Sequence, residues 1–206
     1  MKRIFSLILL VFFFLPYAFA AEVKQLNVND PQPFLEEEAV MQVYFFKVRA
    51  QDSFLIVCGG ETMLIDAGVQ SSGALIAGYL KELGISRIDY AVNTHPHDDH
   101  IDGFVPLMEE IEIGTFFVCF PHDENKHMIA ALKACEAHGI PVVDITAESE
   151  ISFGGNTIRL FQDLETKDLN ARSLVMHISF GDCTAVFTAD ITRDVHTRLA
   201  EEWANF

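Results

Sequence analysis

Residues 94–100 read Thr94-His95-Pro96-His97-Asp98-Asp99-His100, directly after an apolar, strand-like run and directly before a helix-like one. Three imidazoles and two carboxylates packed so closely are costly for a fold to hold unless something satisfies them. A divalent cation does so. His95 and His97, two residues apart, can point the same way from an extended turn, while Asp99 and His100 at the start of a helix face a neighbouring position. This spacing predicts two metal sites a few ångströms apart, the geometry used for two-metal hydrolysis. A strand must therefore deliver the array to an edge of a sheet, and other loops must converge on it.

The rest of the chain supplies strands and helices on both sides of that array. Runs at Val40 to Val48 and Phe54 to Cys58 read as strands, and Gly59-Gly60 turns the second into Thr62 to Ile65. Ala74 to Leu83 has helical spacing and stops at Gly84. Strands follow at Ile88 to Thr94, Thr115 to Phe120 and Val142 to Ile145, with a helix at Lys126 to His138 closed by Gly139. Two strand pairs are expected at Ile151 to Phe161, turning at Gly154-Gly155, and at Leu174 to Thr188, turning at Gly181-Asp182. Thr192 is the expected cap of a last helix reaching Ala204.

The first 20 residues have a different character. Lys2 and Arg3 precede an apolar run from Ile4 to Leu15, and Ala18-Phe19-Ala20 before Ala21 has the small-x-small form of a cleavage site. This is read as a secretory signal peptide, with residues 21–206 as one domain and no membrane span after cleavage. The expected location is outside the cytoplasm: extracellular, periplasmic or associated with the cell wall. With 30 acidic against 14 basic residues the net charge is −16, and removing Lys2 and Arg3 makes it more negative still. A surface so acidic repels polyanions and excludes an extended nucleic-acid-binding face or a broad contact with anionic lipid. The four cysteines, Cys58, Cys119, Cys135 and Cys183, are widely separated and lack zinc-ribbon spacing; Cys119 and Cys183 lie in apolar runs and are expected to be buried thiols.

Four segments carry a family resemblance: Thr62 to Gly68, the histidine array, Asn170 to Val175, and Val186 to Ile191. Together they resemble the metallo-β-lactamase-fold hydrolases, and within them the metallo-β-lactamase-like domain of DNA-uptake competence proteins and its stand-alone relatives. The resemblance implies an α/β fold, a four-layer αββα sandwich of two facing mixed sheets with helices outside and metals at one edge. It places His95 and His97 on one ion, Asp99 and His100 on a second, and Asp190 as the bridge between them. Asp66 matches an aspartate that orients the site, and Asp66 and Asp99 are taken as the catalytic carboxylates. Asn170 stands where competence-type members place an Asn-rich segment and is assigned to substrate binding. The implied cofactor is two divalent ions, zinc first, with manganese or iron as alternatives. A shared water of lowered pKa would attack a small-molecule or phosphodiester substrate. The alternatives are β-lactam or lactone hydrolysis, or a non-catalytic module that binds metal or a partner.

Three departures accompany the resemblance. The family's late His-His-Gly step is missing, and the expectation is that the C-terminal strands carrying it lie beyond Phe206, with Trp203 and Phe206 packing on that following chain. No mid-chain histidine has a matching setting: His122, His127, His138, His177 and His196 are read as surface or packing residues. Val48-Arg49-Ala50-Gln51-Asp52 replaces a glycine-rich step and argues against a DNA-uptake role, and Asp102 replaces a glycine after the array.

Overall fold

A computed structural model describes residues 41–48, 53–123, 125–145, 149–181 and 183–203, with the side chains of 202 and 203 excepted. The signal-peptide reading, most of the Val48-to-Asp52 departure, and the packing expected of Trp203 and Phe206 fall outside what is described. The strands are β1 (Met41–Phe45), β2 (Phe54–Cys58), β3 (Glu61–Ile65), β4 (Arg87–Val92), β5 (Glu112–Val118), β6 (Val142–Asp144), β7 (Glu150–Phe153), β8 (Asn156–Phe161), β9 (Val175–Phe180) and β10 (Cys183–Phe187). The helices are α1 (Gln70–Glu82), α2 (Asp98–Ile101), α3 (Phe104–Met108), α4 (Lys126–His138) and α5 (Arg193–Trp203).

Period-two alternation on β2 and β3 shows how the layers arise. Leu55, Val57 and Leu64 face one way, into a core with Ile76 and Leu80 of α1, Phe104 and Leu107 of α3, and Met128 and Ala131 of α4. Ile56, Met63 and Ile65 face the other way, onto Phe153, Ile158, Leu160, Met176 and Ile178 of the second sheet. Val175 and Ala171 form a third, smaller core with Val195 and Leu199 of α5. The order is therefore helix, sheet, sheet, helix, the αββα sandwich expected. Phe104 and Phe116 meet edge-on with centroids 5.0 Å apart inside the first core. Each such fully buried side chain contributes about 1.5–3 kcal/mol.

The first sheet has the order β1-β2-β3-β4-β5-β6 and is mixed: β1, β2 and β3 pair antiparallel, and β3 through β6 pair parallel. The second has the order β10-β9-β8-β7, and here the expectation of a mixed sheet is corrected, because all of its described pairings are antiparallel. Its strands are joined by tight connections or a loop, with none of the crossover helices that parallel pairing requires. The turns at Gly59-Gly60 and Gly154-Gly155 fall as read, each glycine at positive φ, while Asp182 of the third lies outside the described residues.

α1 begins four residues before the apolar periodicity does. Its first turn, Gln70-Ser71-Ser72-Gly73, is small because it lies against the chain leaving the array: a Cβ on Gly73 would stand 2.2 Å from the Gly103 carbonyl oxygen. Gly103 is equally confined, its missing Cβ directed at the Ala67 carbonyl oxygen. This close approach brings the segment after β3 against the segment after β4. The cysteine reading is also corrected: Cys58 and Cys135 are buried, while Cys119 and Cys183 are only half-buried. Among the described residues no helix is long and apolar enough to cross a membrane.

Candidate metal centre

The parallel strands β3, β4 and β5 end at one edge of the first sheet, where open α/β sheets place their ligand sites. Asp66 follows β3, Asn93 to His100 follow β4, Cys119 follows β5, and Asp190 comes three residues after β10. The parallel ladder carries past the strand ends, Asp66 N–H donating to Val92 O at 2.9 Å and Asn93 N–H to Phe117 O at 3.1 Å. Among the described residues only two non-glycine residues have left-handed backbone, Asp66 (φ 54°) and Ala189 (φ 45°). Both lie at this edge, as expected where a fold holds functional groups in place against local preference.

Asp66 is 1% exposed, and its carboxylate accepts four hydrogen bonds. Oδ1 receives the Thr94 N–H at 2.8 Å and Asn93 Nδ2 at 3.3 Å. Oδ2 receives the Thr94 hydroxyl at 2.5 Å and His100 Nδ1 at 2.8 Å. The Thr94 hydroxyl has one proton, and with it directed to Asp66 the same oxygen accepts from His95 Nδ1 at 3.1 Å. This pattern places a proton on Nδ1 of both imidazoles and directs both Nε2 atoms away from Asp66. Both rings are buried, His95 at 0% and His100 at 3% exposure, and their centroids are 4.1 Å apart. Burial pushes His95 down to about 3, with the neighbouring His100 adding to the effect. Burial also acts to lower His100, but the hydrogen bond and charge of Asp66, helped by Asp190 and Asp99, outweigh it and raise the ring to about 9.

The open nitrogens converge. His95 Nε2 lies 3.0 Å from His97 Nδ1, His100 Nε2 is 3.6 Å from Asp190 Oδ2, and His95 Nε2 is 4.0 Å from the same oxygen. Ligands held about 2.0–2.1 Å from a tetrahedral ion stand about 3.3 Å apart, so these pairwise separations fit cations held among the four side chains. Asp66, His95 and His100 each place a ligand atom within 4.8 Å of the others. Asp66 has both oxygens engaged on the Nδ1 side of the rings, which fits a carboxylate that orients ligands.

The remaining sequence-read residues fall as follows. Asp99 is half-buried in the first turn of α2 and acts on His100 through its charge, and Asp98 is exposed. Asn170 lies on the loop from residue 162 to 174, which docks on the array where Leu174 N–H donates to Thr94 O at 2.9 Å. Its Oδ1 is buried and, among the described residues, has no hydrogen-bond partner. His122, His127 and His138 each contact one carboxylate, Asp144, Asp102 and Glu109 respectively, none of them a residue of the array. Asp102 thus has a partner on α4. Sequence reading gave no role to Thr94, whose hydroxyl links Asp66 to His95, or to Asn93; a small hydroxyl residue before the first histidine is the one signal present, and it is common in turns.

The sequence matches the family described as the metallo-beta-lactamase superfamily over residues 47–202. No curated protein matches it significantly. Among solved structures it is similar to a HARLDQ-motif metallo-β-lactamase mutant from Cronobacter sakazakii, with TM-score 0.52, 18% identity, and 76% of this chain and 62% of that chain covered. It is similar to the metallo-β-lactamase-fold protein YhfI from Bacillus subtilis, with TM-score 0.50, 19% identity and coverage of 70% and 57%. It is also similar to a mutant of the CmlA β-hydroxylase, an enzyme from Streptomyces venezuelae, with TM-score 0.53, 18% identity and coverage of 84% and 34%. The matched region spans less than two thirds of each of these three chains.

Proposed function

The chain belongs to the metallo-β-lactamase superfamily, and we propose that it is a secreted, metal-dependent hydrolase acting on phosphodiesters, in the manner of the stand-alone relatives of the competence-protein domain. The observation that supports the metal-dependent part of this reading is the single carboxylate of Asp66 fixing two buried imidazoles, one directly and one through Thr94, with their Nε2 atoms aimed toward Asp190. In this reading His95 and His97 would hold one ion and Asp99 and His100 a second, with Asp190 as a ligand shared between them. Zinc suits imidazole and carboxylate donors, with manganese or iron as alternatives. When bound, such ions supply a water of lowered pKa and polarise the attacked group.

The protein's own residues do the rest. Asp66 and Thr94 hold the ligand tautomers, and His95, kept neutral by burial, is ready to ligate without first losing a proton. His100 must give up its Nε2 proton to ligate, so ligand binding at this residue is weakened by acid. The signal-peptide-like start supports export, and the acidic composition supports small-molecule or phosphodiester substrates over long polyanions. The test is turnover of bis(p-nitrophenyl) phosphate against a chromogenic β-lactam by the zinc-loaded full chain, with and without chelator. Chelator-sensitive diester cleavage is expected. Silence on the diester with rapid β-lactam opening overturns the substrate assignment.

A further inference from the structure

Among the described residues, four buried side-chain polar atoms have no hydrogen-bond partner: Asn93 Oδ1, Asn170 Oδ1, Arg172 Nε and Ser173 Oγ. One belongs to Asn93, the residue just before the array, and three belong to the loop docked on it. Orphaned polar atoms are uncommon in folded proteins, and four of them on two segments that pack together need an explanation, a bound ligand among them.

Arg172 is the member with chemistry of its own. The chain has 30 acidic residues, so a guanidinium finds a carboxylate easily. Arg87 pairs with Asp89 and Glu112, Arg159 with Glu150, and Arg198 with Asp163. Arg193 is exposed to water. Arg172 is half-buried and, among the described residues, has no carboxylate partner; its guanidinium carbon stands 5.0 Å from the centroid of the Phe120 ring. The nearest acid in sequence, Asp168, directs Oδ1 to the Ala171 N–H at 2.8 Å instead. A partly desolvated, unpaired guanidinium is costly, and stacking on an aromatic face recovers only part of that cost.

The two segments that hold it both pack beside the metal centre. Leu174, two residues on, bonds to Thr94 O, and Cys119, next to Phe120, places Sγ 3.5 Å from the same oxygen. The charge of Arg172 is felt at that thiol, where it opposes the effect of burial. We infer that Arg172 is a substrate-binding residue that receives an anionic group, a phosphate or carboxylate, of the molecule cleaved at the neighbouring centre. Guanidinium geometry suits the paired oxygens of either anion, and a local cation offsets the repulsion that a chain of net charge −16 imposes on an anionic substrate. The inference rests on the hydrolase reading for the word substrate, and on the loop itself for the anion.

The test has a binding arm and a kinetic arm, both on the full chain. In chelator-treated protein, inorganic phosphate is expected to raise the Tm of the wild type and to do so far less in Arg172→Met. In zinc-loaded protein, kcat/KM is compared for bis(p-nitrophenyl) phosphate, the carboxylate-bearing mono-p-nitrophenyl glutarate and uncharged p-nitrophenyl acetate. Arg172→Met is expected to lower the ratio of anionic to uncharged substrate by roughly tenfold to a hundredfold, and Arg172→Lys is expected to recover part of it. A fall for the diester assigns the anion to the scissile group, and a fall for the glutarate assigns it to a separate one. If Arg172→Met does not fold, the Nε–H resonance of Arg172 in the wild type decides, since it must shift as phosphate is added. If no ester is turned over, the hydrolase reading fails and the phosphate arm alone judges Arg172. Phosphate binding and substrate ratios unchanged by the substitution, or an Arg172 resonance unmoved by phosphate, overturn the inference.

Discussion

Replacing Asp66 with Asn removes one charge and almost no volume, and Asn tolerates the left-handed backbone at φ 54°. Asn Oδ1 can still receive the Thr94 N–H and Asn93 Nδ2, but its NH2 now faces both the Thr94 hydroxyl and His100 Nδ1, which donate to the carboxylate in the wild type. The imidazole must then accept at Nδ1, which moves its proton to Nε2, the atom aimed at Asp190. Two consequences follow. Metal affinity falls by about 10–100-fold, the usual effect of losing a group that orients a ligating histidine. The second concerns the metal-free protein, where His100 is raised from 6.5 to about 9. A raised folded-state pKa contributes stability that is complete below 6.5 and lost as pH rises through about 9. At 1.36 kcal/mol per pKa unit the contribution is about 3 kcal/mol. Asp66 provides the larger part of it, so Asp66→Asn lowers metal-free stability most at pH 6.5 and below, and progressively less toward pH 10. Urea unfolding across that range, a competitive zinc titration, and nitrogen-15 spectra of the His100 ring measure the three effects. Wild-type zinc affinity together with an unchanged Nδ1–H tautomer would refute the reasoning.

Other outcomes follow from the same geometry. Thr94→Val keeps the side-chain shape but leaves the His95 Nδ1 proton without an acceptor; it is expected to cost about 1–3 kcal/mol in urea unfolding and to weaken zinc binding, with Thr94→Ser restoring both. Gly103→Ala directs a methyl group at the Ala67 carbonyl oxygen, and a loss of about 3 kcal/mol or more is expected, with weakened metal binding because Ala67 N–H also donates to His100 O. The metal-free protein should have its highest Tm near pH 6.5. Above that pH it loses the His100 contribution as pH rises toward about 9. Below it, the lowered pKa of His95 makes the unfolded chain the better proton acceptor, so stability falls as pH drops toward about 3.

The array was legible because its residue types are expensive together and sit between a strand and a helix, and the αββα layering was legible from alternation and turn glycines. What could not be read was anything set by contact across the chain. Nothing local to Gln70-Ser71-Ser72-Gly73 indicates a helix; its smallness makes sense only once Gly103 is seen against it. The second sheet was misread as mixed because strand runs alone do not state their direction. Asp66 and Asp190 were recovered through family resemblance, since a lone aspartate after a strand is more often a turn residue. Thr94 and Arg172 were overlooked for the same physical reason: their roles depend on partners 28 and 52 positions away, at Asp66 and Phe120.

The central claim is that this cluster of side chains holds divalent metal, and elemental mass spectrometry of the purified full chain beside a His97→Ala variant tests it most directly. The account predicts two ions per chain in the wild type and clear loss in the variant, with chelation abolishing turnover in step. Metal content that is negligible in the wild type, or the same in both proteins, would contradict it.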